Sequence, residues 1–198
     1  MKRRDTLKLL AAAPAALAFT WSVEEASAAA QEAHHALAQA AAASQPYTPR
    51  FFTAHEYATV TALADIIIPR DGRSGSASEA GAPEFIDVLI AQQVERQTAL
   101  RGGLMWLDTE CRARFDKTFL DCADADRRRV LDDIAWPRRA AVAHRQGARF
   151  FTTMRDLVAT GFWSSRTGVA DLGYMGNRPA AWDGAPAPVL QKLGLTDA

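Results

Sequence analysis

Cysteine is nearly absent from this sequence: Cys111 and Cys122 are the only two among 198 residues. Their scarcity excludes a disulfide-scaffolded mini-domain, a Cys-rich zinc site and the Cys-x-x-Cys-His attachment of covalent c-type haem. Nor does either sign of charge dominate, since 23 Lys and Arg oppose 23 Asp and Glu. A neutral chain lacks the basic balance that would call for nucleic acid. The apolar run from Leu9 to Phe19 is alanine-rich, broken by Pro14, and short of the roughly 20 residues that span a bilayer. No phosphate loop, zinc pattern or nucleophile elbow occurs.

What is present is the profile of one ordinary globular domain, 48% hydrophobic and 23% charged, long enough to bury a core without staples. Its start is an address. Met1 to Ala30 divides into a basic segment, the apolar run and a small-residue stretch, the layout of an export leader. Within it, Arg3-Arg4-Asp5-Thr6-Leu7-Lys8 resembles the twin-arginine signal of bacteria, matched at Arg3, Arg4, Leu7 and Lys8. It departs at Thr6, where Phe is usual, and at Lys2, where Ser or Thr is usual. Ala26-Ser27-Ala28 supplies the small-x-small cleavage pattern, with Ala28-Ala29-Ala30 as the alternative. The expectation is a leader over 1–28 that engages the twin-arginine translocase and yields a soluble periplasmic product, or is retained uncleaved as an anchor. Residues 29–49, rich in Ala and Gln, read as a mobile or partly helical linker without its own core. His34-His35 has no third ligand nearby and reads as solvated.

From about residue 50 onward the apolar periodicity is helical throughout, which predicts an all-α domain of about five helices over 50–198. Thr53-Ala54-His55-Glu56 has capping-box spacing, with Phe52 and Tyr57 placed as a hydrophobic staple. Tyr57, Val60, Ala64 and Ile67 line one face of the helix that follows, and Pro69 stops it. A polar loop, Arg70 to Ala80, leads to a second helix from Pro83 to about Ala99. Gly102-Gly103 reads as a joint before a third helix carrying Leu104, Leu107, Cys111 and Phe115. Asp124 and Asp126 open a fourth that ends at Trp136-Pro137, and a fifth runs from about Ala148 to Ser165. Val169 to Pro188 mixes Gly and Pro with Tyr174, Met175 and Trp182, so it reads as a long irregular segment lying on its own domain or on a partner. Pro188 to Leu193, followed by Gly194, predicts a short terminal helix.

Candidate chemistry is sparse. Asp65, Asp71, Glu84 and Asp87 gather around the Arg70–Ala80 loop, where they serve either as acid and base or as caps and solvated charges. Gly72-Arg73-Ser74-Gly75 lacks dinucleotide spacing and sits between two predicted helices. Cys111 and Cys122 read either as a bridge, contributing roughly 3 kcal/mol in the chain-entropy model, or as two packed thiols, with Cys111 on an apolar stripe. No catalytic, cofactor-binding or metal-ligating residue is assigned.

Four separated motifs occur in order: Leu63-Ala64-Asp65-Ile66-Ile67-Ile68-Pro69, Ala80-Gly81-Ala82-Pro83-Glu84-Phe85-Ile86-Asp87, the Leu107 to Phe115 segment, and Asp171-Leu172-Gly173-Tyr174-Met175-Gly176-Asn177 with Trp182-Asp183-Gly184. From about Phe51 to Gly194 the chain resembles the subunit 3 family of membrane-associated gluconate 2-dehydrogenase. The resemblance implies an accessory subunit of a periplasmic complex, partnered by an FAD flavoprotein of the glucose-methanol-choline type that oxidises sugars, glucosides or sugar acids. A haem-bearing cytochrome c subunit often receives the electrons. It further implies that this chain escorts the folded, FAD-loaded partner across the membrane. Tyr174, Met175 and Trp182, with Arg70 and Asp71, are the partner-interface candidates. Two other classes compete: an independent periplasmic enzyme using the acidic loop around Asp71, and a binding or adaptor module using the aromatic tail.

Overall fold

The computed structural model describes residues 22–174, 187–192 and 194. Among them are eight α-helices and no strand: α1 (Val23–Ala42), α2 (Ala54–Ile67), α3 (Ala82–Gln92), α4 (Val94–Phe115), α5 (Asp124–Ile134), α6 (Arg145–Trp163), α7 (Arg166–Leu172) and α8 (Ala187–Lys192). A single 3-10 turn, Val142–His144, precedes α6. The all-α expectation holds.

Two helices carry the core. α3 is buried from Ala82 to Ile90 and packs against α1, α2, α4 and α6. α6, amphipathic along its whole length, buries Phe150, Met154, Leu157, Val158 and Phe162 against α3, α4 and α5. Phe162, Leu63, Ile86, Leu107, Phe119 and Ile134 are wholly enclosed, and each such side chain stabilises by roughly 1.5–3 kcal/mol relative to exposure.

The capping box of α2 forms as read: Thr53 Oγ1 accepts from Glu56 N at 3.2 Å and Glu56 Oε2 from Thr53 N at 2.8 Å. Pro69 ends that helix, with Ile68 pushed to φ −127° and ψ 84°. Glycine at 81, in the left-handed region at φ 83°, turns the chain into α3.

Three expectations change. Residues 29–49 are helical through Ala42 and docked: α1 has its own capping box at Ser22 and Glu25 and buries Ala29 and Ala33 against the core. The low-complexity alanine reads as a weak apolar stripe, yet alanine is what lets two helix backbones approach closely. The second difference concerns Gly102-Gly103, which is no joint, because α4 runs straight through it. A Cβ on Gly103 would lie 1.9 Å from Phe150 Cδ2, so the glycine permits a close crossing with α6. The break falls instead at Gln93 (φ −112°, ψ 75°), where Gln97 Nε2 donates to the Ile90 carbonyl at 3.0 Å and caps α3. Finally, Val169 to Leu172 is helical, part of α7, rather than irregular.

Candidate docking face

The loop between α2 and α3 is built by its own polar side chains. Asp65 Oδ1 and Oδ2 accept from Ser78 N and Oγ at 2.9 and 2.8 Å, tying the loop's end to the last turns of α2. Asp71 Oδ1 accepts from Arg73 N at 2.8 Å and Ser74 N at 3.0 Å, the side-chain-closed turn that aspartate favours. Glu79 Oε2 accepts from Ser76 N at 2.7 Å, and its Oε1 meets the Arg70 guanidinium. Ala77 is fully buried beneath the loop, and its N–H donates to the Ile68 carbonyl at 2.9 Å. The loop is therefore fixed in shape while its rim, including Arg70 and Asp71, stays exposed.

Arg73 carries this loop across to the other predicted region. Its Nη2 donates to the Asp171 carbonyl at 3.0 Å and its Nε lies 3.7 Å from Asp171 Oδ1. α7, capped by the Ser165 hydroxyl accepting from Gly168 N at 3.0 Å, presents Leu172 and Tyr174 at its end. These are 51% and 65% exposed. So the Arg70–Ala80 loop and the end of α7, separated by about half the chain, are tethered to each other through Arg73. Met175 and Trp182 lie outside the described residues, as do Arg3, Arg4, Leu7 and Lys8. Ala26 and Ala28 fall in the second turn of α1, so a cut after Ala28 would remove the Ser22–Glu25 capping box and leave the buried Ala29 at the new terminus.

The four carboxylates read as candidate acids and bases are distributed to separate tasks. Asp65 and Asp71 shape the loop. Asp87, completely buried, accepts from Tyr47 Oη at 2.8 Å, Arg50 N at 2.7 Å, and Phe51 N and Phe52 N at 3.0 Å each. It thereby straps the segment before α2 onto α3. Glu84 is also buried, accepts from Tyr57 Oη at 2.7 Å, and leaves Oε2 without a hydrogen bond; burial raises its pKa above the usual carboxylate range. The same burial, together with Glu84 and Asp87, pushes the Tyr57 and Tyr47 hydroxyls well above their ordinary values, so both remain donors.

Sequence reading missed the Asp87 hub and a second one at Asp108. Asp108 Oδ1 accepts from Phe119 N at 2.9 Å, and Oδ2 pairs with His55 Nε2 at 2.7 Å, joining α4 to the start of α2. Nothing local marks either residue, because their donors are supplied by segments distant in the chain. Cys111 and Cys122 are both buried and stand as free thiols in mutual contact. Burial first, and the neighbouring Cys122 second, push the Cys111 thiol up to about 12. His34 and His35 are exposed on α1.

No curated protein and no solved structure matches this sequence. A family model does, over residues 54–184, from the first residue of α2 through the loop, the helical core and α7. With most of its length inside that match, the chain belongs to the gluconate 2-dehydrogenase subunit 3 family.

Proposed function

We propose that this chain is the non-catalytic small subunit of a periplasmic FAD-dependent sugar or gluconate dehydrogenase complex. In this reading it bears the twin-arginine signal at Arg3 and Arg4 and escorts its folded glucose-methanol-choline type flavoprotein through the translocase. The observation that carries it is the family membership itself, which names a subunit of a multi-subunit dehydrogenase. Two features support the finer assignment. The Gly72–Gly75 run joins two helices instead of following a strand, so it lacks the geometry that cradles a dinucleotide pyrophosphate, and the flavin is assigned to the partner. Exposed Leu172 and Tyr174 beside a rigid loop form a surface suited to a permanent companion.

The reading in which Asp65, Asp71, Glu84 and Asp87 act as acid and base draws no support from the geometry, since each is committed to a backbone, serine or tyrosine donor. The escort role is tested by co-expressing the chain with a flavin subunit of the glucose-methanol-choline type. Arg3→Lys with Arg4→Lys is expected to leave both polypeptides in the cytoplasm; a flavin subunit that still reaches the periplasm rules the escort out.

A further inference from the structure

The connector between α5 and α6 takes no part in the face described above. Elsewhere in the described residues most guanidinium groups meet a carboxylate, the exceptions being Arg127, which donates to the Phe119 and Leu120 carbonyls, and Arg166. Arg70 meets Glu79, Arg101 meets Glu56, Arg114 meets Glu110 and Asp133, Arg128 meets Asp124, and Arg129 meets Asp126. One stretch departs from this. From Ile134 to Arg155 the sequence contains no Asp or Glu, yet it holds Arg138, Arg139, Arg145, Arg149 and Arg155. Arg155 lies against Asp156, whereas Arg138, Arg139, Arg145 and Arg149 are exposed and make no ion pair with a described residue. In a chain with no net charge, this is a local cationic excess without a counterion among the described residues.

The same connector exposes apolar side chains. Trp136 is 41% exposed and Val142 74%. The segment that carries them is nonetheless ordered. Arg139 N and Ala140 N donate to the Trp136 carbonyl at 2.8 and 3.0 Å, and His144 N donates to the Ala141 carbonyl at 2.9 Å. His144 packs edge-on against Trp106 at 6.1 Å, and Ile134 and Ala148 anchor the two ends in the core.

A protein partner offers fixed acceptors and buries its apolar contacts as one continuous patch. Here the apolar groups are single side chains separated by arginines, an arrangement suited to a fluid surface that closes around each one. Indole favours the headgroup level of a bilayer, and arginine stems lie along apolar surface while their heads reach phosphate. We propose that the α5–α6 connector is a docking surface for a bilayer containing anionic phospholipid. Arg138, Arg139, Arg145 and Arg149 hold the headgroup phosphates, and Trp136 and Val142 enter the interface. This surface is independent of the partner assignment above.

The full chain is sedimented with vesicles of phosphatidylcholine alone or mixed with phosphatidylglycerol, at low and high salt. Binding is expected only to the anionic vesicles and is expected to weaken with salt. Arg138→Ala with Arg139→Ala and Arg145→Ala should weaken partitioning roughly a hundredfold, from about 1 kcal/mol per arginine near an anionic surface, with helicity unchanged. Arg128→Ala with Arg129→Ala, whose arginines are already ion-paired, should bind like the unsubstituted chain. The leader is common to all variants, so its own affinity cancels. Equal binding to both vesicle types, or a triple variant that binds undiminished, overturns the proposal. Indifference to vesicles, combined with loss of a co-expressed dehydrogenase subunit in the triple variant, overturns it too and gives the surface to an acidic protein face.

Discussion

Asp87 shows how one buried charge organises a segment that has little else to hold it. Three consecutive backbone N–H groups, Arg50 to Phe52, and the Tyr47 hydroxyl converge on its two oxygens. Hydrogen bonds to a charged acceptor contribute more than neutral ones, and stranding buried donors costs about 1–3 kcal/mol each. Asp87→Ala is accordingly expected to destabilise by about 3 kcal/mol or more in urea titrations, with Asp87→Asn intermediate. Glu84, one turn earlier, behaves oppositely. Burial raises its pKa in the folded state, so the native protein holds that proton more tightly than the unfolded chain. Its contribution is therefore most favourable below the ordinary glutamate range and is lost as pH rises through the raised value. Glu84→Gln keeps an acceptor for Tyr57 and should flatten this part of the stability-versus-pH curve while raising the melting temperature at neutral pH. A variant that melts lower at neutral pH than the parent would contradict that assignment.

At the level of helices, the pair Gly102-Gly103 separates two meanings of glycine. Gly102 sits half-buried in the middle of α4 with nothing within 4 Å of an added Cβ, whereas Gly103 faces Phe150. Gly102→Ala should stabilise by about 0.5–1 kcal/mol through helix propensity and reduced unfolded-state freedom. Gly103→Ala should cost about 1–3 kcal/mol, since the aromatic ring must move from a packed core. Thermal unfolding of the two single variants checks both signs at once. The capping box at Thr53, the proline stop at 69 and the acidic start of α5 were legible in the sequence, because each depends on residues within one turn of each other. The break at Gln93 was not, because its stabilising donor comes from Gln97 in the next helix and no glycine or proline marks it.

Across the whole molecule, the family domain begins at residue 54, yet α1 and the strap before α2 are bound to it by Ala29, Ala33, Asp87 and the Gln92 Nε2 to Glu32 Oε2 bond at 2.7 Å. The exposed apolar groups at the end of α7 lie on the face that Arg73 ties together. If the proposed flavin subunit docks here, Leu172→Asp combined with Tyr174→Ala is expected to preserve helicity while weakening co-purification with it roughly thirtyfold, the loss of about 2 kcal/mol typical of an interface anchor. Retention of the partner at unchanged affinity would move the interface elsewhere.

Apolar spacing, caps and breakers act over a few residues, so the sequence by itself determined the helical class, the start and stop of α2 and the family motifs. It also placed Arg70, Asp71 and Tyr174 among the interface candidates without a way to join them. The tertiary structure alone decided that the loop bearing Arg70 and Asp71 is tied to the end of α7, that an alanine-rich lead is a docked helix, and that a buried aspartate holds a distant strap. Those outcomes depend on which surfaces meet after folding, and proximity between residues far apart in the chain leaves no periodicity to read.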